Sequence, residues 1–223
     1  MAALTFSFNQ MEKEFEMRSK LIATSLAVAL VSATSAGYAV ADAAKPGQSM
    51  THMKTGAGLS SLLEGAGVVL YVQGGATSAV MGDSIASANG QVVFHIPVTG
   101  TKTGVQHVGS NIVFFNTSND KQVTLSNPVI DLAKGQITAV IPQASADAMA
   151  VLTITNAADL KAKKTNDRKA GLRTSKYEGA TLSLAPGIAA ALVSLLGLPA
   201  GALPDGAAFG SADVSIYGKI KKK

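Results

Sequence analysis

The sequence predicts a mainly β fold, an antiparallel sandwich or barrel with one amphipathic helix near the C-terminus. Three observations predict it. From Gly67 onward, apolar and polar residues alternate in short runs, the period of a half-buried strand. Clusters of Gly, Asn, Asp, Ser, Thr and Pro interrupt these runs at short intervals, as the turns of sandwiches and barrels do. Only one segment, beginning at Ile188, carries a convincing helical stripe.

Residues 44–57 are small and polar and read as a flexible arm before the single β-rich domain, 58–218. Gly58 to Gly65 suits one or two helical turns. Val68, Leu70 and Val72 then share one strand face, with Val69 and Tyr71 on the other. Val92, Phe94, Ile96 and Val98 form the next apolar face, opposite Val93, His95 and Pro97. After the turn cluster 99–104 a strand runs from Val105 to Asn116, and Thr117 to Asp120 turns the chain into Gln122 to Leu125. Asn127-Pro128 marks a bend or bulge before Val129 to Leu132, because proline donates no ladder hydrogen bond. Lys134-Gly135 is a tight hairpin into Ile137 to Ile141, and Ala150 to Thr155 is a further strand. The charged segment 156–176 reads as a long loop with room for one helical turn, and Ala180 to Leu184 resumes the strand pattern. Pro186 opens the helix, Ile188, Ala191, Leu192, Leu195 and Leu196 form its apolar stripe, and Gly197 and Pro199 close it. Ala212, Val214 and Ile216 face one way in the last strand, and a basic tail, 219–223, follows.

Composition narrows the chemistry. At 47% hydrophobic and 15% charged residues the chain is too apolar for an intrinsically disordered protein, and 223 residues suffice for a domain of ordinary size. Absence of cysteine excludes disulfides, thiolate metal sites and cysteine nucleophiles. No P-loop, G-x-S-x-G elbow, H-E-x-x-H helix or strand-linked G-x-G-x-x-G is found, so the expectation is a protein without enzymatic activity.

Residues 1–43 read as a secretory signal peptide with an N-terminal extension. Arg18 and Lys20 precede the uncharged run Leu21 to Val31, and Ala39-Val40-Ala41 fits the small-residue cleavage rule, with a cut before Asp42; Ala41-Asp42-Ala43, with a cut before Ala44, is the second choice. Glu12, Glu14 and Glu16 stand where positive charge belongs, which makes Met17 a second candidate start. The expectation is a secreted or cell-envelope-associated protein with no transmembrane helix in its mature part.

The stretch from Leu62 to Pro142, with GAGVVL, VFHIPVTG, VQHVGSNIVF and VTLSNPVIDLAKGQITAVI, resembles the HtaA-like domains of secreted actinobacterial proteins. The resemblance implies an all-β secreted or cell-wall-associated domain. The best-known members bind haem through a tyrosine ligand supported by a histidine, on a Trp-containing opening segment. This chain has no Trp and reads GLSSLLEGAG there, so Tyr71 and His107 are the stand-ins that the resemblance implies.

Two sets of residues are therefore candidates. A phenolate ligand from Tyr71 needs a basic or histidine neighbour to bring its proton affinity down, so haem or another apolar ligand requires Tyr71 and His107 to converge. The alternative for His107 is a partly buried, hydrogen-bonded strand histidine, and His95 is expected to meet solvent. The second set is the basic run Lys161, Lys163, Lys164, Arg168, Lys169, Arg173 and Lys176, opposed by Asp167 and Glu178. It suits an anionic envelope polymer, or it is simply a solvated loop. It lacks the interleaved aromatic residues with which single-stranded nucleic acid is stacked, so no nucleic-acid partner is expected. The reading is a secreted, non-enzymatic structural or interaction module, with haem or small-ligand binding as the alternative.

Overall fold

Twelve antiparallel strands form one sheet in the computed structural model, which describes residues 48–80 and 91–220. In chain order they begin with β1 (Met50–Thr55), helix α1 (Ala57–Gly65), β2 (Val68–Gly74), β3 (Thr77–Val80) and β4 (Val92–Pro97). There follow β5 (Val105–Gln106), β6 (Ser110–Asn116), β7 (Gln122–Asp131), β8 (Gln136–Val140) and β9 (Ala148–Ile154). The remainder is β10 (Lys163–Asp167), β11 (Leu172–Leu184), helix α2 (Ile188–Leu196) and β12 (Ala208–Lys219). The expected signal peptide and its cleavage site lie outside the described residues.

The strand order is β2-β6-β7-β8-β9-β11-β12-β1-β4-β3, with β5 on β7 and β10 on β11. The two ends of this ladder, β2 and β3, are consecutive in the chain and separated only by Gly75 and Ala76. That short link draws the edges of the sheet towards each other, giving a nearly closed barrel. The corner demands glycine. Gly74 has φ +76°, and a Cβ there would lie 1.9 Å from the Gly109 carbonyl oxygen, which accepts the Gly75 N–H at 3.0 Å.

Alternation fills the interior. Met53 on β1, Phe94 and Ile96 on β4, Phe114 on β6, Leu152 on β9 and Phe209 on β12 are essentially fully buried. Each such side chain contributes roughly 1.5–3 kcal/mol before its entropy cost. Both helices cover the same end of the barrel, where β2 begins and β6 ends. Helix α2 buries Ile188, Ala189, Leu192 and Leu196, and packs on β6 and β7. Its C-terminal Leu196 carbonyl accepts hydrogen bonds from the Asn116 and Asn119 side-chain amides at 2.9 and 3.0 Å, which satisfies an otherwise orphaned helix-end acceptor.

Three expectations need correction. The arm expected over 44–57 contains β1, a strand paired with β12 on one side and β4 on the other. Its inward residues are Thr51, Met53 and Thr55, so the period-two pattern is carried partly by threonines and does not register as apolar. The single strand expected over 105–116 is broken at residues 107–109, where Gly109 adopts φ +81°. The segment 156–176 does hold one helical turn, a 3-10 turn at Ala157–Asp159, but the rest of the expected loop is the β10–β11 hairpin. All five residues of β10 are exposed, so no apolar face announces the strand. The Asn127-Pro128 bulge, by contrast, is present within β7: the ladder slips between Ser126 and Val129, and Asn127 has φ +52°.

Candidate functional site

His107 lies at the barrel end opposite the helices and is 1% exposed. The β7 bulge positions it. Its main-chain N–H and its Nδ1–H both donate to the Pro128 carbonyl, at 3.0 and 2.9 Å. Because a carbonyl can only accept, Nδ1 carries the proton and Nε2 is left to accept from the Thr51 hydroxyl at 2.7 Å. Thr51 is fully buried on β1, and β1 and β7 are far apart in the sheet order. The imidazole therefore ties two distant walls together through the interior. Burial holds its pKa below the ordinary histidine value, outweighing the opposing effect of the Pro128 hydrogen bond.

Tyr71 is placed elsewhere. On β2 the inward residues are Val68, Leu70 and Val72, and Tyr71 shares the outer face with Val69, which is half exposed. Its cross-strand neighbour on β6 is Val113. Tyr71 and His107 are thus on opposite sides of the barrel wall, and both nitrogens of His107 are already engaged. The two residues do not fit a haem held between a phenolate and a supporting imidazole.

Two other histidines are brought together. His52 on β1 and His95 on β4 are cross-strand partners on the outer face, with Nδ1 atoms 2.8 Å apart, ring centroids 4.8 Å apart and planes at 89°. One ring donates and the other accepts, which requires at least one neutral imidazole. Desolvation first, and the neighbouring His52 second, lower the pKa of His95. His95 lies on the outer face, partly open to solvent as expected, but it is half-buried against its partner ring. The pairing of residues 43 positions apart has no local sequence signal; it appears only once β1 is recognised as a strand.

The basic residues share the end of the barrel opposite the helices. Among the described residues β10 pairs with β11 alone, so it is an edge strand there, and its lysines also discourage edge-to-edge pairing. Lys163 stands directly across from Lys176, a like-charge juxtaposition that Glu178 relieves by accepting a hydrogen bond from Lys163. That bond and the Lys163 charge hold the Glu178 carboxyl below its usual range. Lys164 and Arg173 lie on the other face of the ribbon, and Arg173 Nε donates to Asn166 Oδ1 at 3.3 Å. Arg168 and Lys169 occupy the exposed hairpin turn, and Lys161 precedes β10, also exposed. The last strand joins this group. Lys219 is in register with Leu172, and the Ile220 N–H donates to the Gly171 carbonyl at 2.9 Å. The hairpin cations and Lys219, far apart in sequence, thus meet at one end of the barrel; residues 221–223 lie outside the described residues.

Among the described residues no group of three or more His, Asp or Glu side chains forms a metal cage, and no helix is long and apolar enough to cross a membrane. Comparison of the chain with protein-family models, with curated proteins and with solved structures gave no match.

Proposed function

We propose that this chain is a secreted, non-enzymatic interaction module of the cell envelope, of the kind that the HtaA-like resemblance implies, and that it binds anionic polymer through its basic end. One observation carries the reading. The β10–β11 ribbon presents Lys161, Lys163, Lys164, Arg168, Lys169 and Arg173 on an exposed, hydrogen-bonded hairpin, and β12 delivers Lys219 beside the same turn. A preformed ribbon loses less conformational freedom on binding than a loop of equal charge. Clustered cations raise the local concentration of a polyanion and release its counterions when it docks. The apolar run from Leu21 and the Ala39-Val40-Ala41 site support export. The haem alternative draws no support from the geometry, since Tyr71 and His107 do not converge.

The experiment is retention on immobilised polyphosphate, a phosphate-rich probe, over a salt series. The wild-type chain is expected to bind at low ionic strength and elute as salt rises. Replacing Lys163, Lys164, Arg168, Lys169 and Arg173 with glutamine is expected to abolish retention without lowering the melting temperature. Retention unchanged in that variant, or none for the wild type, would overturn the proposal.

A further inference from the structure

We propose that His52 and His95 form an open two-imidazole site for a divalent first-row transition ion, copper(II) before the others. The site is separate from the basic ribbon and does not depend on it. Two nitrogens held about 2.0 Å from one ion at a right angle stand ~2.8 Å apart. That is the spacing of the two Nδ1 atoms, 2.8 Å. A tetrahedral ion with similar bonds asks for about 3.3 Å, a wider bite than this pair offers. The spacing thus suits the tetragonal geometry of copper(II) or nickel(II), each ring turning its Nδ1 from the shared hydrogen bond towards the ion, and copper(II) stands highest in the affinity order for nitrogen ligands.

The backbone fixes this bite. His52 and His95 occupy opposed positions on adjacent, fully paired strands, so neither ring has to be gathered from a mobile loop. The rings now share a proton between their Nδ1 atoms. Metal binding displaces that proton and gives the ion both Nδ1 lone pairs: a neutral donor ring takes the proton back on its own Nε2 as it changes tautomer, and a charged one loses it to solvent. Thr77, His95, His52 and Asp213 stand in one cross-strand row over β3, β4, β1 and β12. Asp213 is exposed and keeps its Oδ1 on the Gly179 N–H at 2.7 Å, so it adds negative charge one strand away while remaining anchored. Lys54, two residues along β1 on the same face, is the opposing charge. Since the described residues offer no protein-only cage, the remaining coordination positions face solvent and take water or an exogenous ligand.

The test is titration of the untagged full chain with glycine-buffered copper(II), read by electron paramagnetic resonance and by histidine-resolved NMR. The expected result is one tightly held ion per chain with hyperfine coupling to two imidazole nitrogens, and selective broadening of His52 and His95 while His107 stays sharp. His52→Gln and His95→Gln are each expected to weaken binding at least tenfold and to remove the two-nitrogen signature. Broadening centred on other groups, or unchanged affinity in both folded variants, would overturn the assignment. The wild-type NMR arm decides the matter even if a variant fails to fold.

Discussion

Replacing His107 with leucine removes an acceptor from the Thr51 hydroxyl in a fully buried position. An unsatisfied buried hydroxyl costs about 1–3 kcal/mol. The Pro128 carbonyl keeps the main-chain N–H of residue 107 as a partner, so it adds little. The expected loss for His107→Leu is about 2 kcal/mol, a fall of roughly 4–8 °C in melting temperature for a chain of this size. Thr51→Val leaves Nε2 without a donor and is expected to cost about as much. The double variant replaces both polar partners with apolar groups, so its loss should fall short of the sum by about 1–2 kcal/mol. Urea unfolding of the four proteins measures this coupling. There is a pH signature as well. The folded pKa of His107 is lowered from 6.5, so its neutral form contributes stability that is fully present above pH 6.5. As pH falls below that value the unfolded chain takes up the proton first, and stability declines by at most ~1.4 kcal/mol per pH unit until the lower folded value is passed. The wild-type minus His107→Leu difference should show this decline. Additive single losses, within about 0.5 kcal/mol, together with a pH-independent difference would refute the cross-barrel tie.

Other outcomes follow from single positions. Gly74→Ala should cost at least ~2 kcal/mol in denaturant unfolding, because the added Cβ meets the Gly109 carbonyl and φ is +76°. Gly58→Ala in the first turn of α1 meets open space and should stabilise by about 0.4–1 kcal/mol in the same assay. Asn116→Ala should cost about 2 kcal/mol, since the buried amide holds the end of α2 and its Oδ1 accepts the Ser118 N–H. Faster hydrogen exchange at the C-terminal turn of α2 would locate that effect.

Much of the fold was legible because apolar alternation reports a buried face directly. β2, β4, β8 and the C-terminal half of β11 follow the pattern, and Ile188, Leu192 and Leu196 mark α2. The Asn127-Pro128 bulge was legible for a chemical reason, the missing N–H of proline. β1 was not, because Thr51 and Thr55 point inward to make hydrogen bonds and look like loop residues on a hydropathy scale. β10 was hidden by the opposite cause, having polar residues on both faces. The candidate sites divide in the same way. The basic residues were visible as a run, although their union with Lys219 depends on β11–β12 register. The resemblance brought forward Tyr71 and His107, but one-residue alternation sends Tyr71 outward and the bulge claims His107. Register also decides the His52–His95 pairing, and register between distant strands has no local signature.

The most direct test of the proposed function is a backbone NMR titration of the isotopically labelled chain with polyphosphate. The account predicts salt-sensitive shifts confined to the 161–176 hairpin and the end of β12 around Lys219, with the barrel interior at Thr51 and His107 unmoved. Shifts centred on the interior or on the outer face around Tyr71, with the hairpin silent, would contradict it.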